Sequence, residues 1–235
     1  MNLWGMRAAL FFAMFLTLQL SASKKLISRV DVDLILENAP KVTYRKVSDI
    51  PVKTASVNRW LIIRIEYVPE KEDPGKPVLR KVQGGYDLRM GGFLDDLGIR
   101  VTVLQDTGLT AVGKPIYCKY TGETAFYTVR KDGRKHLVMM FIPGKLLDRF
   151  SRSASGSVRT VSKNDFKAEI IFTVDGKNIA RAYYGGNAKA FSEALPMVPV
   201  NMVCEGGVFP RCRTPWALFE ADEFDLEKEF PAGAM

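Results

Sequence analysis

Apolar and polar residues alternate in short segments along most of this chain, a pattern typical of half-buried β-strands. The strongest segment is Arg59–Val68, in which one face has Leu61, Ile63, Ile65 and Tyr67 and the other is apolar near its start. A strand with two apolar faces is expected deep inside a fold. The same alternation predicts further strands at 30–35, 42–47 and 99–104.

Two Asp-Gly pairs predict tight turns, because this dipeptide readily adopts the positive φ angles of a two-residue hairpin. Asp132-Gly133 and Asp175-Gly176 each stand between two apolar segments. We therefore expect two β-hairpins, in which 126–130 pairs with 137–142 and 169–174 pairs with 178–184.

Helices are predicted to be few and short. A short helical turn is indicated at 93–97, one or two helical turns at 144–150, and a short helix at 188–195 that Pro196 ends. The strand–helix alternation of a parallel sheet is absent. The predicted fold class is mainly β, an antiparallel immunoglobulin-like β-sandwich with a few short helices. Since the Cys–Trp–Cys spacing of antibody domains is missing, the immunoglobulin likeness is one of architecture only.

The first 23 residues have the three parts of a secretory signal peptide. Arg7 provides the positive charge, Ala8–Leu20 is apolar, and Ser21–Ser23 is a run of small residues. Thirteen helical residues span about 20 Å, less than the roughly 30 Å of a bilayer core. Cleavage after Ser23 is therefore predicted, with an uncleaved membrane anchor as the alternative. The chain is expected to be exported to the periplasm, the outer membrane surface or the extracellular space.

The charge is unevenly distributed along the chain. Its formal net charge is +8, yet residues 220–229 alone carry −5. We predict a signal peptide at 1–23, a sandwich domain at 24–219 and an acidic, weakly helical tail at 220–235. A basic body can bind anionic partners, or its lysines can simply keep it soluble. Export removes nucleic acid from the expected partners.

Three cysteines occur in this chain, and an exported protein can oxidise them. Cys204 and Cys212 flank a short loop containing two glycines, so they are the predicted disulfide. Cys118 is then expected to be a buried free thiol. Pairing of Cys118 with one of the other two is the open alternative. No metal or cofactor site is predicted, because three thiols and one histidine do not make a convincing zinc site.

No catalytic pattern is convincing. His136 is the only histidine, has no nucleophile near it in sequence, and is expected on the surface of a strand. Asp106-Thr107-Gly108 resembles the catalytic turn of aspartic proteases, which need two such turns. With one copy only a homodimer could work, so a turn at the end of a strand is expected instead. The chain is predicted not to be an enzyme.

The order of several segments resembles a family of exported, pilus-like proteins of verrucomicrobial bacteria. The segments are 60–67, 99–103, 132–133, 140–150 and 172–177, within a region of roughly 55–185. The resemblance implies an immunoglobulin-like β fold and an association with type IV pilus-related gene clusters. It implies no catalytic residues. The chain departs from a prepilin, since Leu10 stands five residues after Gly5, where a major pilin has Glu.

The expected function is therefore structural or adhesive, with protein partners in the cell envelope or in a pilus-related complex. Three loops are candidate contact regions, namely Pro69–Pro77, Ser151–Ser157 and Cys204–Cys212. The alternative is a glycan-binding module on the same fold, in which exposed aromatic side chains such as Trp216 or Tyr184 stack on sugars. A membrane contact is expected only through an uncleaved leader.

Overall fold

The computed structural model describes residues 25–38, 59–72, 75, 77–82, 84–89, 91–151 and 160–218. The predicted leader, the strand predicted at 42–47 and the acidic tail lie outside these residues, as does most of the Ser151–Ser157 loop. Within the described residues, no helix is both long enough and apolar enough to cross a membrane.

The described residues form eleven strands and two short α-helices. The strands are β1 (Ile27–Asn38), β2 (Arg59–Pro69), β3 (Val78–Val82), β4 (Gly85–Arg89), β5 (Phe93–Ala111), β6 (Lys114–Arg130), β7 (His136–Ile142), β8 (Phe166–Val174), β9 (Lys177–Tyr184), β10 (Val203–Cys204) and β11 (Phe209–Pro210). The helices are α1 (Gly144–Arg149) and α2 (Ala188–Ala194). Short 3₁₀ turns follow at 163–165, 195–197, 200–202, 211–213 and 215–218.

Nine of the strands form two sheets. The front sheet has the order β1–β2–β7–β11, and the back sheet has the order β10–β6–β5–β8–β9. Neighbouring strands are antiparallel, except that β10 pairs with β6 in parallel over two residues. β3 and β4 form a separate hairpin. The predicted mainly β, antiparallel sandwich is therefore confirmed.

The two sheets pack face to face over one apolar core. β2 is the most deeply buried strand of the front sheet, as predicted: Leu61, Ile63, Ile65 and Tyr67 are all 0% exposed, and Ile62 on the opposite face is also buried. The back sheet completes the core with apolar side chains from its three central strands, chiefly Leu97, Ile99, Val101, Val103, Tyr120, Phe126, Ile170 and Phe172.

The hairpin predicted at Asp175-Gly176 is confirmed. β8 and β9 pair directly up to Val174 and Lys177, and the two turn residues have φ angles of 51° and 72°. These are the positive values that a two-residue turn of this kind requires.

The hairpin predicted at Asp132-Gly133 is wrong. β6 belongs to the back sheet and β7 to the front sheet, where β7 pairs with β2, so residues 131–135 carry the chain around a corner. Only Gly133 has a positive φ, whereas a tight hairpin turn needs two such residues. The Asp132 carboxylate instead accepts a hydrogen bond from the Arg134 N–H at 2.8 Å, which bends the backbone locally.

The helical turn predicted at 93–97 is also wrong, because these residues begin β5 and pair with the end of β6. Within this part of the ladder, Asp96 has a φ of 54° and is not one of the paired residues. The helices predicted near 144–150 and 188–195 are present. The second continues past Pro196 as a 3₁₀ turn.

One lateral edge of the sandwich is covered by the chain itself. We call it the closed edge: β6 and β7 border it, and residues 203–210 cross it, because β10 adds to β6 and β11 adds to β7. Val208 lies between the two sheets, 2% exposed, and its N–H donates to the Thr121 carbonyl at 3.1 Å. Gly122 faces this crossing so closely that a Cβ atom there would lie 2.0 Å from the Val208 carbonyl oxygen.

Candidate functional site

The opposite lateral edge is left without a covering segment among the described residues. We call it the open edge: it is bordered by β1 of the front sheet and β9 of the back sheet, the outermost strands on that side. The two strands approach within 8 Å between Cα atoms but form no hydrogen-bonded ladder. Within the described residues, no ladder pairs the outer side of either strand, which is the arrangement in which an added strand can bind.

A groove of about 500 Å³ lies along the open edge. It is formed by the beginning of β1, by the second half of β9 and by the turn that follows β9. Its apolar and small lining residues are Ile27, Val30, Ile179, Ala180 and Ala182. An apolar lining between two strand edges can accept the side chains of a peptide that pairs with one of them.

Three cations also line the groove, Lys25, Arg29 and Arg181, and the lining includes no acidic residue. Each cation is held in place. The Lys25 ammonium donates to the Ser28 carbonyl at 2.9 Å, and Arg29 lies 2.7 Å from the Asp31 carboxylate. The hydrogen bond from Arg181 to the Tyr183 hydroxyl raises the pKa of Arg181, and the nearby Glu169 charge raises it further. Asp31 and Glu169 therefore offset the charges of Arg29 and Arg181, the second pair at 3.4 Å.

Local irregularity gives β1 its shape at the groove. The ladder between β1 and β2 shifts by one residue between Ile27 and Arg29, so Ser28 is an extra residue of a β-bulge. The Ser28 hydroxyl donates to the Val68 carbonyl at 3.0 Å. Neither this bulge nor the groove was predicted, because the lining residues lie about 150 positions apart in the sequence.

The described part of the Pro69–Pro77 region lies over the corner at residues 131–135. The Lys131 side chain is buried and forms an ion pair with Glu72, whose N–H donates to the Lys131 carbonyl at 3.0 Å. This pairing anchors the start of the predicted contact loop to the sandwich. Whether the loop binds a partner remains a prediction.

His136 is not the surface histidine that was expected. Its side chain is only 12% exposed, and its Nε2 lies 3.3 Å from an Asp132 oxygen. Burial alone would raise the pKa of Asp132, but the hydrogen bond from the Arg134 N–H and the contact with His136 lower it below its usual value. The imidazole also packs beside Tyr67, with ring centroids 5.4 Å apart. These contacts give His136 a structural role at the corner.

Asp106-Thr107-Gly108 does not end a strand as expected, but interrupts the long β5–β6 hairpin, whose register shifts between Asp106 and Thr110. The Asp106 carboxylate accepts the Gly108 N–H at 2.7 Å, and the Thr107 hydroxyl donates to the Ile116 carbonyl at 2.8 Å. The motif is therefore a β-bulge stabilised by its own side chains.

The residue before this motif belongs to a buried polar network that sequence reasoning missed. The Gln105 amide accepts from the Tyr120 hydroxyl at 2.7 Å and donates to the Ser151 hydroxyl at 2.7 Å. Ser151 in turn donates to the Leu147 carbonyl at 2.6 Å. All three polar side chains are at most 1% exposed. The network holds the end of α1 against the back sheet.

The aromatic residues considered for glycan binding are used in packing. The Trp216 ring stacks on Phe141 with centroids 4.7 Å apart and meets Trp60 edge-on at 5.1 Å. Trp216 thereby fastens the turn at 215–218 to the outer face of the front sheet. Tyr184 is partly buried, and this burial raises the pKa of its hydroxyl. These contacts favour a packing role for both side chains.

The structure contains the three cysteines as thiols. Cys118 is buried as expected, and this burial raises its pKa to about 12. Cys204 and Cys212 lie at either end of the segment that crosses the closed edge. The Cys204–Cys212 disulfide remains a prediction. Within the described residues, no group of three or more side chains could hold a metal ion.

No family model matches the chain, and no curated protein matches it. Among solved structures, a crystal structure from Akkermansia muciniphila has a similar fold. The two chains are 14% identical with a TM-score of 0.55, and the match covers 86% of this chain and 94% of that chain. At this identity the likeness supports the β-sandwich fold alone. The organism belongs to Verrucomicrobia, the group named by the sequence resemblance.

Proposed function

We propose that this chain is a non-enzymatic, exported structural protein of a bacterial envelope or pilus-related assembly. One observation carries the proposal: the part of the chain that the structure describes covers one lateral edge with residues 203–210 and leaves a groove at the other. Exposed strand edges offer backbone groups to other chains, and the bulge at Ser28 and the charged side chains at this edge would restrict which chains can pair with it. A partner that supplies an extended segment would complete the open edge by main-chain hydrogen bonds.

The proposal includes the processing predicted from the sequence. The leader at 1–23 directs export, the sandwich occupies 24–219, and the acidic segment follows it. Cys204 and Cys212 form a disulfide in the oxidising compartment. Mass spectrometry of the protein isolated from its native cells reads both the N-terminus and the thiols. Full-length chain in the cytosol with all thiols reduced would contradict export.

Capture of partners from envelope extracts tests the role of the open edge. Ser28→Trp places a large side chain in the groove, and we expect it to lose the envelope subunits that the parent protein recovers. Ser192→Trp is the matched control, because Ser192 is also an exposed serine whose hydroxyl donates to a backbone carbonyl, at 2.9 Å. Equal recovery by both variants would exclude the groove as the binding site.

A further inference from the structure

A pocket of about 490 Å³ lies at the corner where the chain passes from the back sheet to the front sheet. We call it the corner pocket: it lies between residues 71–72 after β2, residues 92–93 at the start of β5 and the stretch that begins at Arg130. The Lys131 N–H donates to the Gly92 carbonyl at 2.7 Å, and the Glu72 N–H donates to the Lys131 carbonyl at 3.0 Å. Main-chain hydrogen bonds therefore hold these three segments together.

The two acidic residues that line the corner pocket are already engaged. Glu72 forms an ion pair with the buried Lys131. The Asp132 carboxylate accepts the Arg134 N–H at 2.8 Å and lies 3.3 Å from the His136 Nε2. Four cations line the pocket beside these two carboxylates, so the lining has an excess of two positive charges.

The three other cations of the pocket have no acidic partner. Lys71, Arg130 and Arg134 are exposed, and within the described residues none of their side chains forms an ion pair or a hydrogen bond. The open-edge groove differs in this respect, because Arg29 and Arg181 each have a carboxylate partner there.

A glycine brings two of the cation-bearing segments together. A Cβ atom at Gly133 would lie 3.2 Å from the Lys71 Cβ, so the absence of a side chain lets the stem of Lys71 pack closely on the corner. Gly133 also has a φ of 72°, which other residues rarely adopt. The corner thereby places Lys71 beside the segment that carries Arg134.

We propose that the corner pocket binds a phosphate monoester group, to which Lys71, Arg130 and Arg134 donate hydrogen bonds. Cations that have no acid beside them attract an anion into the cavity that they line. The planar guanidinium of arginine matches the oxygens of phosphate. A phosphate monoester has a charge of about −1.5 to −2 and three acceptor oxygens, one for each of these cations. A carboxylate has one charge and two oxygens, so it satisfies the pocket less well.

This inference does not rest on the proposed function, because the corner pocket and the open-edge groove share no lining residue. Isothermal titration calorimetry of the full chain at low salt tests it with three probes, namely glucose 6-phosphate, inorganic phosphate and acetate. We expect both phosphates to bind, and acetate to bind at least about tenfold more weakly. Phosphate as tight as the ester would mean that the anion alone is recognised, whereas a tighter ester would place its sugar in the pocket beside Phe93.

A matched pair of variants separates the pocket from the general charge of the protein. Lys71→Gln/Arg130→Gln should weaken the binding of glucose 6-phosphate by at least about tenfold, since it removes two charged donors. Arg59→Gln/Lys114→Gln removes one arginine and one lysine that are also exposed, at the opposite ends of β2 and β6. This control should bind as the parent does. All four positions are exposed, so both variants should unfold at the temperature of the parent.

Three outcomes would overturn the inference. A parent protein that binds neither phosphate would exclude the site. Equal losses in the two variants would show that the net charge of the protein, and not the corner pocket, attracts the anion. Acetate that binds as tightly as phosphate would exclude the assignment to a phosphate group. In each case the capture of envelope subunits through the open edge would be unaffected.

Discussion

Each lateral edge of this sandwich ends in strands that need backbone partners on their outer side, and the two edges differ in whether the chain supplies those partners. At the closed edge, residues 203–210 pair with β6 and β7, and Val208 fills the space between the sheets. At the open edge, β1 and β9 border a groove whose lining is apolar and cationic. Unpaired strand edges invite association. Within the described residues, the chain covers only one of these two edges with its own backbone.

The closed edge should be the more sensitive of the two to substitution. Gly122→Val places a branched side chain where even a Cβ atom would lie 2.0 Å from the Val208 carbonyl oxygen. The crossing segment must then move or detach, and we expect the free energy of unfolding to fall by about 3 kcal/mol. Urea denaturation measures this. Gly85→Val is the control, because a Cβ there meets nothing within 4 Å and should cost little. Equal losses would show that the crossing does not hold the edge.

A disulfide would strengthen the closed edge further. If Cys204 and Cys212 pair as predicted, the bond closes a loop of about nine residues across this edge and contributes about 2.5 kcal/mol. The double variant Cys204→Ser/Cys212→Ser should lose that amount in oxidising buffer and nothing in reducing buffer. Urea denaturation with and without reductant checks this. A loss in Cys118→Ser that appears only in oxidising buffer would favour the alternative pairing, because a hydroxyl at this buried position costs stability in either buffer.

The core beside the closed edge contains a buried polar group that is not satisfied. The Thr124 hydroxyl on β6 is buried and lacks a hydrogen-bond partner among the described residues. Thr124→Val keeps the shape of the side chain and removes the unsatisfied group, so we expect a gain of about 1 kcal/mol in the free energy of unfolding. Thr128→Val on the same strand, where the side chain is exposed, should change stability by less. A destabilised Thr124→Val protein would contradict this account.

A substitution at the open edge should have the smallest effect on stability and the largest effect on association with a partner. Ser28→Trp removes one exposed hydrogen bond to Val68 and fills space that solvent occupies. We expect the free energy of unfolding to change by about 0.5 kcal/mol or less. Thermal unfolding of Ser28→Trp beside the parent measures this. A loss comparable with that of Gly122→Val would mean that the groove is part of the folding core.

The sequence allowed the layers of this fold to be predicted better than their connections. The apolar faces of Arg59–Val68 indicated a central strand, and Asp175-Gly176 indicated the β8–β9 hairpin, because both signals are local. Asp132-Gly133 gave the same local signal and the wrong connection. Turn chemistry describes how the backbone bends, but the partner of β7 is decided by the apolar face of β2, far away in sequence.

The groove could not be predicted for a similar reason. Ile27, Arg29 and Ile179 are ordinary strand residues in sequence, and only the packing of the two sheets brings them together. Cys118 was predicted to be buried because a lone thiol in a strand behaves as a small apolar side chain. His136 was expected at the surface because nothing in its sequence neighbourhood reveals the contact with Tyr67.

The position of β7 beside β2 also determines when the front sheet can form during folding. β2 ends at Pro69 and its partner begins at His136, so the front sheet has to close a long stretch of chain before its most apolar strand is shielded. Closure over such separations slows folding. If the chain is exported as proposed, slow closure would help to keep it extended during passage through a membrane pore, since the front sheet needs residues from β1 through β7 before it can form.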